Sequence, residues 1–148
     1  MVLDVRLVPG AFDPAGELAA FTARVPAAGG VVSFLGKVRA DSGVEALEIR
    51  HYEPMTLPGF AALAQTAARR WALEGLLLLH RVGEMGPDAP IVLVAAAARH
   101  RRDAFAATDF VMDHLKSESW LWKRERTAQG WRWIEPRAQD HSDRARWS

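Results

Sequence analysis

The residues from Arg99 to Glu125, RHRRDAFAATDFVMDHLKSESWLWKRE, hold most of the chain's capacity for chemistry. The stretch opens on four basic side chains, Arg99-His100-Arg101-Arg102, and closes on Trp120-Leu121-Trp122-Lys123-Arg124, with Lys116 between them. Cations set among aromatic and apolar residues suit a small, flat, anionic ligand, because rings supply walls while ammonium and guanidinium groups hold negative charge. Lys116 and Lys123 are the candidates for acid, base or nucleophilic work. A lysine half-sunk among Phe105, Met112 and Trp122 is partly desolvated, which favours its neutral form. The competing reading is a surface lysine with a buried stem, the commoner behaviour of this residue. The two lysines lie seven apart across a helix-to-strand break, so periodicity alone does not say whether they converge. His100 and Arg101 suit a phosphate or carboxylate, or equally a solvated turn. Arg39 ends an apolar strand, where capping of a sheet edge is commoner than service in a cleft. His51 and His80 end strands in the same way, and each reads as a hydrogen-bonded structural histidine.

Several classes of chemistry drop out. The chain has no cysteine, which removes disulfides, a thiolate nucleophile and thiolate metal ligands. The five histidines show no HxH, HxxxH or HExxH spacing, so no metal site is expected. No Walker loop, GxGxxG or GxSxG is present. A formal net charge of +1 argues against a dedicated nucleic-acid binder using Arg99 to Arg102. No apolar run reaches the roughly 18 residues of a membrane span, and MVLDVRLVPG lacks the pattern of a signal peptide, so a cytoplasmic protein is expected.

The elements that must position these side chains can be read from periodicity. Val2 to Val8 alternates as a strand. Asp13-Pro14 reads as a helix start, and Leu18, Phe21 and Val25 form its stripe. Strands are expected over Val31 to Arg39 and Val44 to Tyr52, paired as a hairpin about Ala40-Asp41-Ser42-Gly43. Thr56 reads as the cap of a second helix with Pro58 in its first turn, followed by buried strands over Leu76 to Val82 and Ile91 to Ala98. A third helix from about Asp103 to Lys116 sets Phe105, Met112 and Lys116 beside its core stripe. Leu121 to Thr127 and Trp131 to Glu135 read as a last hairpin, before a polar tail from Pro136. Of the six tryptophans, four fall between Trp120 and Trp133. Core packing is the default for them, and exposure would point to a protein partner. With 148 residues, one α+β domain spanning 1–148 is expected.

Taken together, the segments Phe34-Leu35-Gly36-Lys37-Val38-Arg39, His51-Tyr52-Glu53-Pro54-Met55, His80-Arg81-Val82-Gly83-Glu84, His100-Arg101 with Ala104-Phe105, Met112-Asp113-His114-Leu115-Lys116 and Trp122-Lys123-Arg124-Glu125 resemble the catalytic, large subunit of molybdopterin synthase. The resemblance runs from the first strand to the Arg137 region and departs from some relatives at Glu53 and at Ser119-Trp120-Leu121. It implies an α/β hammerhead with an added antiparallel sheet. It also implies a sulfurtransferase that converts cyclic pyranopterin monophosphate into molybdopterin. No cofactor is expected, because the sulfur arrives as a thiocarboxylate on the C-terminal Gly-Gly of a small ubiquitin-like subunit. The expected assembly is a heterotetramer built on a large-subunit homodimer. By resemblance Lys116 is the leading catalytic residue and Lys123 assists. Arg39, His100 and Arg101 bind phosphate and pterin, Phe34 and Met112 shape the pocket, and Arg137 reaches across the dimer. The two ammonium groups and the His100–Arg101 pair are thus expected in one cavity. The alternative is a non-catalytic module that binds a ubiquitin-like protein through the tryptophan-rich hairpin.

Overall fold

The computed structural model describes residues 1–117 and 120–148, and Ser119 therefore lies outside the described residues. Twelve elements follow in order: β1 (Val2–Val8), α1 (Pro14–Ala23), β2 (Gly30–Lys37), β3 (Ala46–His51), α2 (Glu53–Arg70), β4 (Leu73–Arg81), β5 (Gly83–Met85), β6 (Pro90–Ala98), α3 (Arg101–Ser117), β7 (Leu121–Thr127), β8 (Gly130–Ile134) and α4 (Ala138–Ala145). They build two four-stranded sheets, ordered β1-β4-β6-β2 and β5-β3-β7-β8.

β4 and β6 are near-continuous apolar runs because the first sheet is covered on both faces. Side-chain alternation sends Leu77, Leu79, Leu93, Ala95 and Ala97 toward Phe21 and Val25 beside α1. Leu76, Leu78, Val92, Val94 and Ala96 face Phe60, Leu63 and Ala64 of α2 and Ala107, Phe110, Val111 and Leu115 of α3. Each large aliphatic side chain buried there contributes about 1.5–3 kcal/mol. The second sheet packs one face onto Leu47, Ile49, Met85, Val38 and Val82 and turns the other outward.

Two expectations change. β2 and β3 are not a hairpin: β2 is the edge of the first sheet against β6, whereas β3 pairs with β5 and β7 in the second. The chain crosses between sheets over 38–45, a segment that composition marks as a turn but whose pairing partners lie far away in sequence. The second helix begins at Glu53 with Tyr52 as its cap, four residues before the expected cap at Thr56. Thr56 is buried inside it and ties it to the chain on either side. Its hydroxyl accepts from the Tyr52 N–H (3.0 Å) and donates to the Trp120 carbonyl (2.6 Å). Gly59 is the matching close approach, since a Cβ there would stand 2.5 Å from the Trp120 indole nitrogen. The final hairpin forms as expected, with Gly130 at φ +100° closing its turn.

The tail is not featureless. α4 packs on α3, held by Arg146 to Asp113 and Asp109 (each 2.7 Å) and by the Trp147 Nε1–H donating to Asp113 (2.6 Å). Trp147 also stacks edge-on against Trp71 and Phe110. This latch brings the N-terminus of α4 over the end of α3.

Candidate active site

Lys116 sits in the last turn of α3, and Lys123 is the third residue of β7, an inner strand of the second sheet. Both line one cavity of about 240 Å³, together with His80 at the end of β4, Arg39 just beyond β2, and walls from Phe34 and Met112. The chain has only three lysines, and the third, Lys37, lines the same cavity. Lys37 is paired with Asp88 at 2.5 Å. Helix end and strand are brought together because Leu115 and Leu121 are both drawn into the core, leaving the lysines beside them to face the gap between the sheets.

The electrostatics follow from this crowding. Burial and, after it, the neighbouring Lys116 charge lower the Lys123 pKa to about 8, against the opposing pull of Asp140. Solvent still reaches Lys116 at the cavity mouth. Protein nevertheless surrounds it closely enough that lost hydration is the leading cause of its lowered pKa. Asp140 opposes that shift, and Arg137 and Arg39 add to it. His80 is 3% exposed and held neutral, its pKa driven to about 3 by burial and by the charges of Lys123 and Lys116, against a hydrogen bond to the Arg81 carbonyl.

Arg137 caps α4, its backbone N–H donating to Asp140 at 2.9 Å, and both residues line the space beside Lys116. A longer groove of about 640 Å³ runs from Lys116 between β2 and α3, past Phe34, Met112, Phe105 and Arg102. Phe105, Met112 and Lys116 thus share one side of α3, as helical spacing implies.

His100 and Arg101 are not in this cavity. They line a separate recess with Gly29, Arg99 and Arg102 at the opposite end of α3. Fifteen residues of helix put Arg101 about 22 Å from Lys116. The expected convergence of all the cations therefore holds within one protomer for Lys116, Lys123 and Arg39, and fails for His100 and Arg101. Trp122 is not a wall either. It alternates with Lys123 along β7 and faces outward, 43% exposed. Trp133, 55% exposed, lies on that same outer face, where Arg124 stacks 4.3 Å from the Trp131 ring and Arg50 5.6 Å from Trp133. Core packing describes Trp120 and Trp71, which meet Phe60 and Phe110 edge-on, but not this face.

Three further described residues border the site without a local signal for that role: His80, because a strand-end histidine reads as structural, Asp140, because its segment reads as polar tail, and Lys37. Among the described residues, no group of three or more His, Asp or Glu is placed to hold a metal ion, and no helix is long and apolar enough to cross a membrane.

Known proteins share both sequence and shape with this chain. The family model described as "MoaE protein" matches residues 9–118. The molybdopterin synthase catalytic subunit of Ralstonia nicotianae is 46% identical over 146 residues, covering 97% of this chain and 83% of that protein. A molybdopterin biosynthesis MoaE protein from Burkholderia ambifaria superposes with a TM-score of 0.84 at 42% identity, covering 99% and 98% of the two chains. The crystal structure of molybdopterin synthase from Staphylococcus aureus does so with a TM-score of 0.76 at 27% identity, over 88% and 96%. With most of its length matched by the family model and by relatives 43–46% identical, the chain belongs to the MoaE family, whose curated relatives are molybdopterin synthase catalytic subunits.

Proposed function

We propose that this chain is the catalytic subunit of a molybdopterin synthase. It would convert cyclic pyranopterin monophosphate into the dithiolene-bearing pterin, with sulfur from the C-terminal thiocarboxylate of a small ubiquitin-like subunit. The observation that carries the reading is the convergence of Lys116, Lys123 and Arg39 on one cavity in a member of this family. A chain without cysteine supplies no sulfur of its own, and a cationic cavity suits a tail that ends in a thiocarboxylate. Lys123, the more enclosed of the two lysines, holds that anionic end as an ammonium. Lys116, at the mouth, moves the proton at the transfer step, and a pKa lowered by lost hydration makes its ammonium the readier to give that proton up. Phe34 and Met112 supply apolar walls for the pterin, and Arg137 adds charge at the rim.

His100 and Arg101 suit the substrate phosphate, but a helix length separates them from Lys116. They serve that site when a second copy of the chain delivers them, which is consistent with a heterotetramer built on a central homodimer. The outward Trp122, Trp133 and Arg124 face offers area for protein contact. In this reading the enzyme works in the cytoplasm and needs no cofactor beyond the sulfur its partner brings.

The test is reconstitution. Purified chain, thiocarboxylated small subunit and cyclic pyranopterin monophosphate should give the dithiolene, detected as its fluorescent oxidation product. Partner binding without pterin binding or product would favour the non-catalytic module instead.

A further inference from the structure

We infer that His80 is a positioning residue of the lysine pair: its Nε2 is a hydrogen-bond acceptor, built into the cavity floor, that orients the Lys123 ammonium. The inference rests on the proposed role of that lysine and adds a residue to it. Among the described residues, five polar side chains line the cavity: Lys37, Arg39, His80, Lys116 and Lys123. Four of them are cations that only donate hydrogen bonds. His80 is the one acceptor among them, and its tautomer is fixed by the backbone. Nδ1 lies 2.8 Å from the Arg81 carbonyl oxygen. A carbonyl only accepts, so Nδ1 carries the hydrogen and Nε2 carries the lone pair.

The ring has little freedom to turn away. It is 3% exposed and packed against Phe60 at 5.8 Å between centroids, and Phe60 is itself held by Trp120. Alternation along β4 points His80 to the same side as Leu76 and Leu78, the side on which α3 ends in Leu115 and Lys116. Both lysine charges act on the ring, Lys123 more than Lys116. Asp140 attracts the lysine pair from the α4 side, so an acceptor on the β4 side is what turns the Lys123 ammonium inward against that pull. A neutral imidazole offers a lone pair without the opposite charge that would bind the lysine too firmly to release it to an incoming anion. Among the described residues, the other charged groups bordering Lys123 are Lys116 from α3, Asp140 from α4, and Glu135 and Arg137 between β8 and α4, with Arg39 and Arg137 also acting on Lys116.

The test reads lysine protonation directly. Protein labelled with ¹³C at lysine Cε gives three signals, one per lysine, each assignable by single substitution and followed against pH. His80→Gln places an amide oxygen near the Nε2 position, whereas His80→Asn reaches only as far as Nδ1. Because an acceptor stabilises the ammonium, its loss lowers the Lys123 midpoint. In His80→Gln the midpoint should stay within about 0.3 pH units of the wild-type value near 8. In His80→Asn it should fall by about one unit, which is one tenfold change in protonation equilibrium. Equal shifts in the two variants, or no shift in either, would overturn the inference, and circular dichroism at each pH confirms that both remain folded. Should either amide variant prove unfolded, His80→Phe, which keeps ring and volume, replaces it and must lower the midpoint at least as far as asparagine would; an unmoved midpoint there overturns the inference too. The readout is independent of turnover, so failure of the sulfur-transfer reading and failure of this one appear in different experiments.

Discussion

Raising the pH from 7 to 9.5 should release the partner's C-terminal tail. Lys123 titrates at about 8 because it is enclosed and because Lys116 is beside it. With that midpoint, about 90% of Lys123 is charged at pH 7 and about 3% at pH 9.5. If only the ammonium holds the carboxylate, affinity for a peptide ending in Gly-Gly falls about thirtyfold across the interval, roughly 2 kcal/mol. An ordinary surface lysine, titrating near 10.4, would stay mostly charged and lose about a tenth of its affinity. The carboxylate itself is ionised throughout, so the dependence reports the protein side. Fluorescence anisotropy with a labelled ten-residue peptide, at constant ionic strength, gives the Kd at each pH. Lys123→Met should bind weakly at pH 7 and show almost no pH dependence between 7 and 9.5. A wild-type Kd that changes less than twofold over the interval would refute the assigned role, as would a Lys123→Met protein that keeps the full dependence.

Three further outcomes follow from the same geometry. Asp140→Asn removes the carboxylate that raises both lysine pKas, so the Lys123 midpoint should drop by roughly half a pH unit; an unmoved midpoint in the lysine ¹³C titration would show that Asp140 does not act on the pair. His80 is buried neutral, with a folded pKa near 3 against 6.5 when unfolded, so the unfolded state binds the extra proton and stability falls as pH drops below 6.5. Urea unfolding at pH 7 and pH 4 should show about 3 kcal/mol more acid destabilisation in the wild type than in His80→Gln, and equal losses would contradict the burial argument. Dimers carrying Lys116→Ala in one protomer and Arg101→Ala in the other should keep about half of wild-type turnover, because a shared site concentrates both lesions in one of two pockets; near-zero turnover in that mixed dimer would mean that each pocket is built from one chain.

The sequence displayed the parts better than their arrangement. β4 and β6 were legible as continuous apolar runs, α3 by its stripe, and the last hairpin by Gly130, because each signal is local. The pairing of β2 with β6 instead of β3 was not, since strand partners are chosen by burial across the whole sheet and the 38–45 segment says only that the chain turns. α4 was missed because its contribution is tertiary: Arg146 and Trp147 find Asp113 and Phe110 on a helix some thirty residues earlier. At the site, helical spacing put Phe105, Met112 and Lys116 on one side, but nothing local could show that Lys123 folds back to meet them. The division of the tryptophans between core and surface is hidden for the same reason. Alternation on β7 and β8 fixes that Trp122 and Trp133 share a face, yet only the sheet's packing decides that this face is the outer one.

Lys116 is the residue on which sulfur transfer should depend most. The direct measurement is a single-turnover reaction of Lys116→Ala with thiocarboxylated small subunit and cyclic pyranopterin monophosphate, with partner and substrate affinities measured on the same protein. The prediction is binding within about threefold of wild type and a rate of dithiolene formation lower by a hundredfold or more, the range expected on losing a positioned acid–base group. Dithiolene formation at near-wild-type rate with both ligands bound would contradict it.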